Sequence, residues 1–245
     1  MPKSESENAL IKRAWVYECI DAHKKLNIEP TGKSFIGYDV ADGGDDANAY
    51  VLRNGFLTVD IQKWQANENE LLKSTMRVYS KAVESDAQIN YDSIGVGAGV
   101  GSKIQELNDT KREKIKAFKF NAGAGVDNPE SFYEYKVKNK DYFANLKAQA
   151  WWDIAERFKE TYNAIVNGTD IKEDRVISID SNCSNIEELI IELSTPLKDF
   201  DNNGKVKVES KKDLAKRAVA SPNIADAFIM AYYTQRRKGL NSDMF

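Results

Sequence analysis

Three aspartates stand where a carboxylate is costly. Asp39 closes the apolar run that begins at Phe35, Asp92 closes the run from Ile89, and Asp226 lies between Ala225 and Ala227 ahead of Phe228. A carboxylate among residues that favour burial needs a compensating charge or hydrogen bonds. Three such positions, far apart in the chain, point to one shared compensator, for which a divalent metal ion is the leading candidate. Hard cations such as Mg²⁺ or Mn²⁺ take oxygen ligands, and the chain offers little that would favour zinc instead. Each acid also has a plainer reading. The Gly43-Gly44 turn explains Asp42, Asp45 and Asp46 but not Asp39, which precedes it. Asp92 could cap the helix that follows. Asp226 falls in the first turn of a predicted helix, where the helix dipole favours negative charge.

Other chemistries are poorly supplied. The one histidine, His23, lies in a helical stretch and is read onto a polar face, and Cys19 and Cys183 fit no CxxC pattern. Neither a Ser-His-Asp hydrolase nor a multi-histidine zinc site can be assembled from this set. The 245 residues carry a net charge of −3, which neither demands nor excludes a polyanion partner. Unpaired cysteines, no long apolar run and a polar start predict a soluble intracellular chain with no membrane partner.

Three tempting motifs fail on spacing. Gly32-Lys33-Ser34 resembles the end of a phosphate-binding loop, but position 27 is Asn and a strand follows rather than precedes it. The glycines from Gly95 to Gly101 miss the dinucleotide fingerprint, because the third required position falls on Val100 or Ser102. They still permit close backbone approach beside Asp92, or a flexible turn. The run Asp199 to Gly204 imitates a calcium loop, but Ser210 stands where the closing Glu belongs, and a hairpin turn explains it.

The elements that must position the acids follow from periodicity. A helix is expected over about Asn8–Leu26, then strands over Ser34–Ala41, Ala49–Arg53 and Phe56–Trp64. The turn at Asn54-Gly55 makes these an antiparallel meander. A helix over Glu68–Glu84, a strand over Ala87–Tyr91, a helix from Ser102 and a strand over Lys114–Phe118 imply parallel crossovers. A long helix over about Asp141–Val166 carries Trp151, Trp152, Ile154, Ala155 and Phe158 as its buried stripe. Ile186–Leu193 reads as a helix, Leu193–Phe200 and Lys205–Glu209 as a hairpin, and Asn223–Arg236 as a final helix opened by Pro222. The fold class is α/β, a mixed sheet with a meander and parallel strands flanked by helices, plus the added hairpin. One domain is expected over 31–245, with 1–30 as a linker or docking helix.

Four motifs in order carry a resemblance: Gly37 to Asp46, Tyr91 to Gly97, Gly204 to Asp213, and Ser221 to Ala227, with the Asn145 to Trp152 stretch beside them. Together they resemble the nuclease domain of tailed-phage large terminases, over about residues 8 to 238. That family's last motif often reads Ser-Pro-Asp, where this chain has Ser221-Pro222-Asn223. The resemblance implies a ribonuclease H-like fold and metal-dependent cleavage of double-stranded DNA during genome packaging in the host cytoplasm. It implies Asp39, Asp92 and Asp226 as catalytic metal ligands, with Asp46 as a neighbouring acid. Two Mg²⁺ or Mn²⁺ ions would be shared through Asp39.

It further implies an ATPase motor domain elsewhere in the full-length protein, with portal and small terminase as assembly partners. This chain itself, lacking a phosphate-binding loop, is not expected to hydrolyse ATP. Lys211 and Lys212 could offset phosphate charge, and Arg217 belongs with them. Lys111, Arg112, Lys114, Lys116, Lys136, Lys138, Lys140, Lys216, Arg236 and Arg237 are further candidates for a DNA-backbone track, or simply a solvated face. Competing readings are a non-catalytic assembly module and an actin-like ATPase fragment, for which the chain is short.

Overall fold

The computed structural model describes residues 6–41, 46–65 and 70–233. The predicted meander is present as β1 (Ser34–Asp39), β2 (Asn48–Asn54) and β3 (Leu57–Trp64). The crossovers then place β4 (Ala87–Asp92) parallel to β1 and β5 (Ala117–Phe120) parallel to β4. A small separate hairpin follows, β6 (Phe132–Glu134) with β7 (Val137–Lys138), and β8 (Ser178–Ile179) extends the edge of β3 in parallel. The six-stranded sheet therefore has the order β5-β4-β1-β2-β3-β8. A second hairpin pairs β9 (Lys198–Phe200) with β10 (Val206–Val208), around the turn at Asp201 to Gly204. Asp201 Oδ1 accepts from the Asn203 and Lys205 N–H groups, so the run resembling a calcium loop is a hairpin turn.

Helices cover both faces. α3 (Leu71–Glu84) and α4 (Val100–Thr110) pack on one, burying Val78, Tyr79, Val100 and Ile104 against Ile36, Tyr38, Ile89 and Tyr91. The other face carries α6 (Leu146–Asn167), α7 (Ile186–Ser194) and α9 (Asn223–Tyr232), which share a core with Ala49, Val51 and Ile61. Between α7 and α9 lies the short α8 (Lys211–Lys216).

Two expected helices are interrupted. The stretch over Asn8–Leu26 is two helices, α1 (Arg13–Glu18) and α2 (Ala22–Leu26). Between them Ile20 bridges Ile179, the Asp21 N–H bonds the Ile179 carbonyl at 2.8 Å, and Asp21 turns left-handed at φ 53°. Pairing with the sheet edge outweighs helical continuity there, and Leu10, Ile11, Val16 and Cys19 are buried in the α6–α7 core. Likewise the helix expected from Asp141 is α5 (Asn139–Tyr142) followed by α6. Phe143 is drawn into a bridge with Val206, and the Asn145 side chain caps the new helix by accepting from the Ala148 N–H at 2.9 Å.

The face on which each strand residue lies decides where the acids go. Side chains alternate along a strand, and Ile36 and Tyr38 point into the α3–α4 core. Gly37 and Asp39 therefore face α9. A Cβ built on Gly37 would lie 1.9 Å from the Ala227 carbonyl oxygen and 2.3 Å from the Ala231 nitrogen. The helix backbone thus rests directly on the strand, a contact only glycine permits. Both ends of α9 are tied down: the Asn90 amide donates to the Met230 and Tyr233 carbonyls at 2.8 and 2.7 Å, and Glu192 accepts the Ala225 N–H at 3.0 Å.

Replacing Gly37 with alanine forces α9 off β1. Overpacking of this kind costs about 1–3 kcal/mol or more, a fall of several degrees in melting temperature for a domain this size. Thermal unfolding followed by circular dichroism measures it, and a Gly37→Ala melting temperature equal to wild type would contradict the packing.

Candidate active site

Asp39 and Asp92 end neighbouring parallel strands. Tyr38 is in register with Tyr91, so the two acids occupy the next position along β1 and β4, on the face toward α9. Because α9 runs antiparallel to β1, its first turn lies above these carboxyl ends. Every residue of α9 is buried except Asp226, the one side chain that reaches out beside them. The three acids, with Asp46, Lys147, Trp151 and Lys211, line a pocket of about 360 Å³. The floor is completed by the turn after β4, where a Cβ on Gly97 would lie 2.0 Å from the Asp92 carbonyl oxygen. The glycine run therefore serves close backbone packing beside Asp92, whose Oδ1 accepts the Ile94 N–H at 3.0 Å.

The electrostatics are unbalanced at Asp39. It is 4% exposed, and among the described residues none donates a hydrogen bond or ion-pairs to its carboxylate. Burial first, then the Asp226 charge, pushes its pKa well above the ordinary value, against Lys211, with Asp92 pushing further up and Lys147 opposing. Burial also raises Asp92, opposed by the Ile94 N–H, with Asp226 adding to the rise. Partial burial disfavours the Lys211 charge, but Asp39, Asp226, Asp46 and Asp92 together outweigh it and raise its pKa.

Asp226 is differently placed. Lys147 Nζ lies 2.8 Å from its Oδ1 and 2.9 Å from its Oδ2, and the Trp151 indole N–H donates to Oδ1 at 3.2 Å. Both donors come from one face of α6, four residues apart. With Asp226 turned to α6 and Asp92 closing its own turn, no group of three acidic, histidine or cysteine side chains among the described residues is gathered tightly enough to hold one ion. The donor set nevertheless fits a hard divalent cation: three carboxylates around one pocket, one of them buried with no donor among the described residues.

Lys147 and Trp151 are the residues that sequence reasoning missed at this site. Both lie in the Asn145 to Trp152 stretch that carries the resemblance, but the sequence assigns no site role there: Trp151 reads as part of a buried stripe, and the signal for Lys147 is a lysine one helical turn before it on that same face. Lys211 opens α8 and lies 3.8 Å from Asp46. Lys212, on the same helix, is exposed and does not line the pocket. Arg217 is also outside the lining, paired with Glu209 at 2.5 Å.

The scattered basic residues divide. Lys138 and Lys140 both pair with Glu130 at 2.7 Å, and Lys216 pairs with Asp213 at 2.6 Å. Lys111, Arg112, Lys114 and Lys116 are exposed before β5, at the end of the sheet away from Asp92, about 10 Å or more along that strand. Lys136 lies over the Tyr135 ring, while Arg236 and Arg237 fall outside the described residues, as do Asp42 and Asp45. His23 is half-buried, its Nδ1 2.8 Å from Ser178 Oγ, and takes no part in the pocket. A larger cavity of about 1020 Å³ opens near the amino-terminal end of β1, and none of the site acids lines it.

Comparison with known proteins agrees on one family. The nuclease domain of the large terminase subunit of bacterial virus Sf6 superposes at a TM-score of 0.84 with 31% identity, covering 93% of this chain and 99% of that one. A mutant of that domain with manganese and beta-thujaplicinol gives 0.85 and 30%, over 93% and 99%. The large terminase nuclease of thermophilic phage G20c, at 0.52 and 9% identity over 87% and 97%, shares the fold. No family model and no curated protein matches the sequence significantly.

Because the folded state raises the Asp39 pKa, native protein holds that proton more tightly than unfolded chain does. The stability this contributes is full below the ordinary carboxylate pKa of about 3.9 and is lost as pH rises through the raised value. In EDTA, Asp39→Asn should therefore melt higher than wild type by a margin that grows from pH 4.5 to pH 8. A margin that shrinks or reverses over that range would contradict the electrostatic assignment.

Proposed function

Since the chain belongs to the family of phage large-terminase nuclease domains, we propose that it is an endonuclease that cuts double-stranded DNA with two divalent ions during genome packaging. The observation that carries this reading is the buried Asp39 carboxylate, which no described residue pairs with, sharing one pocket with Asp92 and Asp226. Asp39 would be shared by both ions, with Asp92 and Asp226 each serving one and Asp46 standing at the rim. When bound, Mg²⁺ or Mn²⁺ supplies the Lewis acidity that activates water and offsets charge on the departing 3′ oxygen.

The chain's own groups do the rest. Asp39 concentrates negative charge where water is largely excluded, so it attracts a divalent cation strongly. The Trp151 indole fixes the rotamer of Asp226, and the Ile94 N–H fixes that of Asp92. Lys211, raised toward permanent charge by four carboxylates, is the cation placed to meet a phosphate oxygen. Lys212, Arg217 and the exposed basic residues would track the DNA backbone through charge alone.

In the full-length protein we place this domain beside an ATPase motor domain, acting with portal and small terminase in the host cytoplasm. Among the described residues no helix is long and apolar enough to cross a membrane.

Supercoiled plasmid incubated with Mn²⁺ or Mg²⁺ tests the proposal. Wild type should nick and linearise it, EDTA should stop cleavage, and Asp39→Asn should lower the rate roughly a thousandfold. Equal cleavage by both proteins, or none by wild type, would favour a non-catalytic assembly module.

A further inference from the structure

We propose that Lys147 is a built-in counter-cation of the acidic pocket: it holds Asp226 in the metal-free protein and yields that carboxylate when a divalent ion enters. The proposal rests on the metal-dependent reading above and deepens it. The Lys147 ammonium contacts both oxygens of Asp226, at 2.8 and 2.9 Å. The side chains are only 24% and 13% exposed, so solvent screens the pair less than it would at the surface. An ion bound at Asp226 would face this ammonium across the same oxygens. Two cations there repel strongly, so one must leave.

The two donors to Asp226 differ in their freedom to do so. Trp151 is fully buried, and its indole N–H can only stay on Oδ1. Lys147 lines the pocket on a stem with four rotatable bonds, and its backbone N–H is anchored to the Ala122 carbonyl at 3.1 Å. The head can therefore swing away while α6 stays in place. Lys211 adds positive potential to the same pocket, but among the described residues its ion pair is with Asp46, and it holds no oxygen of Asp226.

The arrangement makes Lys147 a positioning residue with two opposed effects. Without metal it orients Asp226 and relieves its repulsion with Asp39. With metal it competes, setting a threshold concentration below which the carboxylates stay neutralised from within.

Calorimetric titration of the whole chain with Mn²⁺ at fixed pH and ionic strength tests this. Lys147→Met should bind Mn²⁺ roughly tenfold more tightly than wild type. It should also melt lower in EDTA and gain more melting temperature from saturating Mn²⁺. Lys147→Arg, whose planar fork grips both oxygens, should bind no more tightly than wild type. Lys147→Gln provides a second neutral variant, expected to follow Lys147→Met. Unchanged or weaker Mn²⁺ binding in folded Lys147→Met and Lys147→Gln, while Asp226→Asn abolishes it, overturns this proposal alone. No Mn²⁺ binding by wild type would remove the metal-dependent reading and this proposal with it.

Discussion

The structure depends on the direct contact between the backbone of α9 and Gly37 of β1. An interior strand of a sheet normally meets the layer packed on it through side chains, and stacked sheets held apart in this way lie about 10 Å from each other. Here the missing Cβ lets the Ala227 and Ala231 backbone settle onto the strand itself. That closeness sets the depth of Asp226, one residue before Ala227, over Asp39, two residues beyond Gly37. The surrounding bonds reinforce one placement: Asn90 and Arg53 take the last carbonyls of α9, and Glu192, paired with Lys63, takes an N–H at its start. A helix buried on nearly every side would ordinarily show no polar residue, so Asp226 marks where it opens onto the pocket.

Bringing three carboxylates to one sheet end works against folding unless positive charge comes with them. The chain supplies two lysines in different ways. Lys147, in contact, neutralises Asp226, whereas Lys211 acts across the pocket on all four acids. Asp39 receives this compensation without a direct ion pair among the described residues, so an external cation would gain most there. On the proposed reading, the same imbalance that costs stability without metal would become affinity for a divalent ion. Stability and function thus pull in opposite directions at a single residue, a pattern expected where a site is arranged before its ligand arrives.

Much of this was legible in the sequence because it is local. Alternation along Phe35–Asp39 and Ile89–Asp92, the Asn54-Gly55 turn and the helix–strand alternation that follows determine the sheet. They also put Asp39 and Asp92 at the same end of it. What was not legible depends on partners distant in sequence. β8 has two residues, too short for any period, and exists because β3 and Ile20 flank it. The break between α1 and α2 follows from that same edge pairing, since nothing in Cys19-Ile20-Asp21 resists a helix. Lys147 reads as one more helix-surface lysine until α9 places Asp226 against it. Lys212 and Arg217 are adjacent to the site in sequence, yet the turn of α8 carries them away from the pocket that Lys211 reaches.

We propose that Asp39, Asp92 and Asp226 form one centre for divalent ions, assembled by the seating of α9 on β1. Anomalous diffraction from crystals soaked in Mn²⁺ measures this most directly. Two anomalous peaks are expected in the pocket, both touching Asp39, with Asp92 and Asp226 each on one and the Lys147 ammonium displaced from Asp226. Soaked crystals with no peak among these carboxylates, or with manganese bound only elsewhere on the chain, would contradict it.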